Sequence, residues 1–156
     1  MAELVTALDP DGVRTCSIAR TLDVVGEKWT LLAVRELMLG SRRFEQIVRR
    51  TGAPRDILTT RLRKLEEHGL VERVQYQSRP DRFEYRLTDL GWSLDKVITM
   101  LRDWGDAHLA GPEGPPVVFR HSCGEVYRPR TVCAACGEEV TRDGLELDSA
   151  GSAAGE

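Results

Sequence analysis

Between residues 17 and 69 the apolar positions recur at helical spacing and are punctuated by glycine and proline. In "SIARTLDVVG" Ile18, Leu22 and Val25 fall at i, i+4 and i+7, which predicts a short amphipathic helix ended by Gly26. "KWTLLAVRELMLG" places Trp29, Leu32, Ala33 and Leu37 on one face and offers Gly40 as its stop. Ser41 is then the expected N-cap of "RRFEQIVRR", whose stripe is Phe44, Ile47 and Val48. "TGAP" breaks that helix. Pro54 opens the next, because a proline in the first turn lacks only an N–H that would be unpaired anyway. In "PRDILTTRLRKLEEHG" Leu58, Leu62 and Leu65 form the inner face, so Asp56, Thr59, Thr60 and Arg63 lie on the outer one.

After Gly69 the period changes from helical to two. Val71, Val74 and Tyr76 alternate in "LVERVQYQ", and Phe83, Tyr85 and Leu87 in "RFEYRLT", with "SRPD" between them. These segments predict a hairpin with Arg79 and Arg82 at its tip. From Thr88 to about Leu109 a long helix is expected, with Leu90, Leu94, Val97, Leu101, Trp104 and His108 spaced alternately four and three apart, a seam that calls for a partner helix. "GPEGPP", residues 111–116, reads as a linker.

Helix, turn, helix and a two-stranded ribbon with a basic tip make the layout of a winged helix-turn-helix. The chemistry explains the layout. A helix fits the major groove of B-DNA, where arginine and small polar side chains reach base edges, while a wing sets arginines against the backbone or minor groove. The candidate DNA-binding residues are therefore Arg42, Arg43, Arg55, Asp56, Thr59, Thr60, Arg63, Arg79 and Arg82, with Arg55 or Arg63 as the guanine reader. The fold class expected is mainly α with a small β-wing, plus a small C-terminal hairpin.

Charge changes this picture by localising it. The 156 residues carry a net charge of −3, yet residues 41–86 hold twelve bases against seven acids, +5, leaving −8 for the rest. Such an asymmetric field suits a phosphate-binding face; the competing readings are a solvated, salt-bridged surface or a protein-binding winged-helix adaptor. At 41% apolar and 30% charged, with no long apolar run, the composition is that of a soluble chain expected in the cytoplasm, without membrane attachment. Paired carboxylates, a nucleophile elbow and a phosphate loop are all missing from the sequence, so no enzyme is expected.

"GEKWTLLAVREL", "RFEQI", "ILTTRLRKLEEHGLVER" and "YRLTDLG" stand in an order and spacing that resemble the HxlR-type winged helix-turn-helix regulators, relatives of the MarR group. The resemblance runs from Cys16 to about Gly105. It implies a homodimer built from the N-terminal and long C-terminal helices, here through Ile18, Leu22, Leu94, Val97, Leu101 and Trp104, bound to double-stranded DNA at an inverted-repeat operator; a repressor is expected rather than an activator, because occupying a promoter needs no further contact. It also implies a thiol switch at Cys16 in some branches, and leaves room for a small-molecule or redox effector. The sequence departs from the family pattern at Ser17, where proline often follows the cysteine, and at Pro54, where a capping serine is common.

The remaining chemistry lies in "FRHSCGEVYRPRTVCAACGEEV", residues 119–140. "CAACG" is a CxxCG knuckle and "RHSCG" is the same knuckle with its first cysteine replaced by Arg120; two such knuckles make a zinc ribbon. His121, Cys123, Cys133 and Cys136 would then bind Zn2+. The alternatives are a metal-free relic held by packing and a CxxC redox pair. The organisation expected is a flexible N-terminus (1–15), a DNA-binding and dimerisation domain (16–110), a linker (111–116), a ribbon-like annex (117–147) and a disordered tail (148–156).

Overall fold

The computed structural model describes residues 16–145; the expected N-terminal segment 1–15, the last two annex residues and the tail 148–156 lie outside the described residues. The chain divides into two compact units, one formed by residues 18–116 and one containing residues 117 onward. In the first, α1 (Ser17–Val25), α2 (Lys28–Met38), α3 (Phe44–Thr51) and α4 (Arg55–Glu67) precede β1 (Val71–Ser78) and β2 (Asp81–Leu87), and α5 (Asp89–Trp92) and α6 (Asp95–His108) follow.

The core forms where the helical stripes meet. Ala33, Val34 and Leu37 of α2, Ile47 of α3 and Leu58, Leu62 and Leu65 of α4 are buried together with Ala53, Leu70, Val71 and Leu94. Burying a side chain of the leucine class contributes about 1.5–3 kcal/mol, so the three α4 leucines fix which face that helix turns outward. In α2 the buried set also includes Thr30 and Glu36, which the apolar pattern does not reveal.

Glycines end α2 and α4 in the same way. At Gly69, φ +68°, the Gly69 N–H donates to Glu66 O and the Leu70 N–H to Leu65 O, both at 2.9 Å. Gly40, φ +88°, repeats this with Leu37 O at 3.1 Å and Glu36 O at 2.9 Å. These are Schellman endings, in which a left-handed residue lets the last carbonyls of the helix find donors. The first sends the chain from α4 directly into the wing.

Three local expectations are corrected. Ser41 does not cap α3: it is buried, and its hydroxyl donates to Glu36 Oε2 at 3.3 Å. The α3 N-terminus is instead served by Gln46, whose Oε1 accepts from the Arg42 and Arg43 N–H groups at 3.2 and 3.0 Å. The long helix expected from Thr88 is divided at Ser93–Leu94. There the Ser93 hydroxyl donates to Leu90 O at 2.7 Å, and the Leu94 N–H turns to Gly91 O at 3.3 Å, a tighter turn. Leu94 is thereby pulled into the chain's own core, 8% exposed, and is not part of an outward seam.

The wing is an antiparallel pair running from Val71↔Leu87 to Ser78↔Asp81, with Tyr76 bulged between Gln75↔Phe83 and Gln77↔Arg82. Its two-residue turn is Arg79–Pro80, so Arg79 sits in the turn and Arg82 in β2.

In the second unit residues 117–145 form two small hairpin knuckles and a 3-10 turn, Arg142–Gly144. No residue of this stretch is buried.

Candidate nucleic-acid interface

Arg55, Asp56, Thr59, Thr60 and Arg63 are all exposed on α4, opposite the buried leucines. They do not stand there equally free. The Arg55 guanidinium donates to both Glu45 carboxylate oxygens at 2.5 and 2.7 Å and lies 5.2 Å from the centre of the Phe44 ring. The hydrogen bonds from Arg55 hold the Glu45 carboxyl below the usual range, and Glu45 in turn raises the Arg55 pKa. The Thr59 and Thr60 hydroxyls donate back to Arg55 O and Asp56 O at 2.8 and 3.0 Å. Arg63, by contrast, makes no side-chain hydrogen bond or ion pair among the described residues. Its five donors are available.

The same sorting applies to the other bases of the central segment. Arg50 lies 3.9 Å from Glu36, Arg61 3.4 Å from Glu27 and Arg86 2.6 Å from Glu84, while Arg73 stacks 3.8 Å from the Phe83 ring centre. Arg42, Arg63, Arg79 and Arg82 are exposed and take part in no ion pair among the described residues. The positive charge read from composition is thus partly neutralised internally, and the free remainder is on the outer face of α4, the α2–α3 turn and the wing.

Two links join the wing to that turn. The Tyr85 N–H of β2 donates to Arg42 O at 2.8 Å, and the Arg43 guanidinium lies 5.1 Å from the Tyr76 ring centre. Tyr85 is half-buried here, and burial raises its phenol pKa. At the wing's base Thr88 closes the arrangement: its N–H donates to Leu70 O at 3.2 Å, and its hydroxyl donates to Gly69 O at 2.6 Å and caps α5 by accepting from the Gly91 N–H. Arg43, proposed from sequence as a DNA contact, is therefore a wing-supporting residue as well. Tyr76, Tyr85 and Glu45 were not among the expected site residues, since their partners lie outside any local spacing rule.

The residues expected at a dimer surface separate into two groups. Leu94 is internal, as above. Ile18 (70% exposed) and Leu22 on α1, with Leu90, Val97, Met100, Leu101 and Trp104 (57% exposed) on α5 and α6, remain uncovered. α6 has no buried residue at all. Cys16 is half-exposed immediately before α1.

In the second unit Cys123, Cys133 and Cys136 are free thiols and exposed. The Cys133 thiol is held below its ordinary pKa by the N–H groups of Cys136 and Ala135 and by the Cys136 thiol. Among the described residues no three His, Cys, Asp or Glu side chains already converge as a metal site.

The comparisons with known proteins agree with this geometry. A model of the HxlR-like helix-turn-helix family matches residues 24–112. The HTH-type transcriptional regulator Rv3095 of Mycobacterium tuberculosis is 52% identical over 126 residues, 80% of each chain. Among solved structures, PA1607 is similar with a TM-score of 0.76 and 34% identity, covering 86% of this chain and 95% of its own. The reduced form of the redox regulator HypR is similar with a TM-score of 0.56 and 32% identity, covering 60% of this chain and 94% of its own. No helix among the described residues is long and apolar enough to cross a membrane. With its winged helix-turn-helix architecture and a family match spanning more than half its length, the chain belongs to the HxlR-like helix-turn-helix family and is a transcriptional regulator, not an enzyme.

Proposed function

We propose that the protein is a homodimeric, sequence-specific DNA-binding repressor acting at an inverted-repeat operator. The observation that carries this reading is the sorting of its arginines. Arg63 projects unpaired from the outer face of α4, and Arg79 and Arg82 stand unpaired on the wing, while neighbouring bases are spent on internal carboxylates. An α4 arginine of this kind suits bidentate hydrogen bonding to guanine, and wing arginines suit phosphate. Arg55, clamped by Glu45, suits a positioning role across α3 and α4 better than base reading.

Dimerisation is supported by α6, a fourteen-residue helix with no buried position whose Val97, Leu101 and Trp104 share their exposure with Ile18 and Leu22 of α1. Exposed apolar helix faces of this kind are costly in water unless a partner covers them. Two α4 helices related by a twofold axis would meet half-sites one helical turn apart, about 34–36 Å, or a multiple of it. Footprinting on the chain's own upstream DNA tests the whole reading. A protected inverted repeat is expected; sequence-independent binding, or tight binding by a monomer, refutes it.

A second reading concerns regulation. HypR is a redox regulator, and Cys16 immediately precedes α1, the helix that carries Ile18 and Leu22 of the surface proposed for dimerisation. Oxidation of Cys16 would act on operator binding through that interface. The test is operator affinity before and after a mild hydroperoxide, with Cys16→Ser expected to abolish any change. A small-molecule effector has a candidate place in an open, largely apolar cleft of about 300 Å3 lined by Val24, Val25, Leu70, Leu90 and Leu94, with Arg20, Thr21 and His68.

A further inference from the structure

The two knuckles of the second unit are copies of one backbone arrangement. In the first, the Tyr127 N–H donates to Phe119 O at 2.8 Å, the His121 N–H to Glu125 O at 2.9 Å and the Gly124 N–H to His121 O at 2.9 Å, around the bridge Arg120↔Val126. In the second, the Val140 N–H donates to Thr131 O at 2.9 Å, the Cys133 N–H to Glu138 O at 2.8 Å and the Gly137 N–H to Cys133 O at 2.8 Å, around Val132↔Glu139. Both turn on a left-handed glycine, Gly124 at φ +93° and Gly137 at φ +77°.

Superposing these hydrogen bonds pairs His121 with Cys133, Cys123 with Cys136 and Gly124 with Gly137. The first knuckle is one residue shorter between its two donors. This corrects the alignment by spacing alone, which put Arg120 in the place of the missing cysteine; Arg120 matches Val132 in the bridge. The polar surroundings match as well. The N–H groups of Ala135 and Cys136 point at the Cys133 sulfur, and the Cys123 N–H donates to His121 Nδ1 at 3.3 Å. Backbone donors aimed at the first donor atom of each knuckle suit a ligand that carries negative charge or binds a cation.

Among the described residues the side-chain contacts of the unit lie at its surface: Arg130 pairs with Glu139 at 3.0 Å, and His121 stacks on Tyr127 with ring centres 6.4 Å apart. From residue 117 to residue 145 no side chain is buried, although Val117, Val118, Phe119, Val126 and Val132 are apolar. Two hairpins joined by so few residues cannot build a core, and small units of this size are stable when a metal or a cross-link ties them.

We infer that His121, Cys123, Cys133 and Cys136 form one structural Zn2+ site that joins the two knuckles. Three thiolates and an imidazole are a donor set for tetrahedral zinc, and all four positions are then filled, as in a structural rather than a catalytic centre. Among the described residues these donors are not gathered into one cluster, so zinc binding would have to bring the two knuckles together, with thiol protons released as the sulfurs ligate.

The experiment uses the full chain, purified under reducing conditions without a histidine tag and with zinc in the growth medium. About one zinc per chain is expected, with an X-ray absorption spectrum showing Zn–S distances of about 2.3 Å. Chelation is expected to collapse the amide NMR signals of residues 117–145 while those of residues 18–110 persist. Cys123→Ser and Cys133→Ser should each lose the metal, and His121→Cys should keep it. Fully reduced protein without zinc overturns the inference. So does recovery of Cys133 and Cys136 as a mutual disulfide in protein given zinc, which makes the pair a redox couple. Retention of zinc by Cys123→Ser at wild-type affinity also overturns it, since the first knuckle then plays no part.

Discussion

Gly91 is the position where one added methyl group has the largest calculable effect. A Cβ built there would lie 2.0 Å from Leu70 O, 3.0 Å from Leu70 C and 2.9 Å from Leu87 Cδ2. Carbon and oxygen need roughly 3.4 Å or more, and the obstacle is backbone, so α5 must retreat by more than about 1 Å. That retreat opens the bonds from Thr88 to Leu70 O and Gly69 O, each a net contribution of about 1 kcal/mol. It also lifts Leu94 from the core, at roughly 1–2 kcal/mol for partial re-exposure. Gly91→Ala is therefore expected to destabilise the chain by about 3–4 kcal/mol, a large loss against a marginal total. Urea unfolding followed by circular dichroism at one fixed chain concentration measures it, since self-association of the kind proposed would make the midpoint concentration-dependent. A loss below about 1 kcal/mol would refute the close approach of α5 to the α4–β1 connection.

Other outcomes follow from the interface. Arg63→Ala should cost about 1–3 kcal/mol on the operator and relax specificity at one position per half-site, whereas equal loss on random DNA would make it a phosphate contact. Arg79→Ala with Arg82→Ala should weaken all sequences together and flatten the salt dependence of binding; an unchanged slope removes the wing from the interface. Leu101→Glu should give monomers in sedimentation and reduce operator affinity, while persistence of the dimer would place the interface elsewhere. Glu45 has a depressed pKa when folded, so its pairing with Arg55 stabilises the fold above the ordinary carboxylate pKa and is lost as pH falls through the lowered one. Carboxyl NMR titration should show that low midpoint, returning to normal in Arg55→Ala; no difference between the two refutes the pairing in solution.

The sequence disclosed what depends on local period. Leu58, Leu62 and Leu65 are buried as their spacing requires, and the alternation after Gly69 marks the wing. It concealed what depends on competition between partners. Ser93 carries no helix-breaking signal, yet its hydroxyl takes the Leu90 carbonyl and turns Leu94 inward. Glu45 and Arg55 are ten residues apart on different helices, so no spacing rule pairs them. Glu36 and Ser41 look like surface residues, and only the Schellman ending of α2 folds one onto the other. The shortened knuckle is legible only once its hydrogen bonds are drawn, because a deletion of one residue defeats comparison by position.

The bond from the Tyr85 N–H to Arg42 O and the seat of Arg43 on Tyr76 make the wing and the helix-turn-helix a single caliper of fixed opening. A wing hung on a loose hinge would swing to meet any duplex, and its arginines would report only that phosphates are present. With the jaws set, the span from α4 to the wing would be a constant of the protein, so in the proposed complex the DNA would be the partner that adjusts. Duplexes whose groove width already fits would close at little cost, and stiff or mismatched ones would have to be bent or compressed first. The base pairs flanking each half-site would then be selected by their mechanics, at positions that no side chain touches.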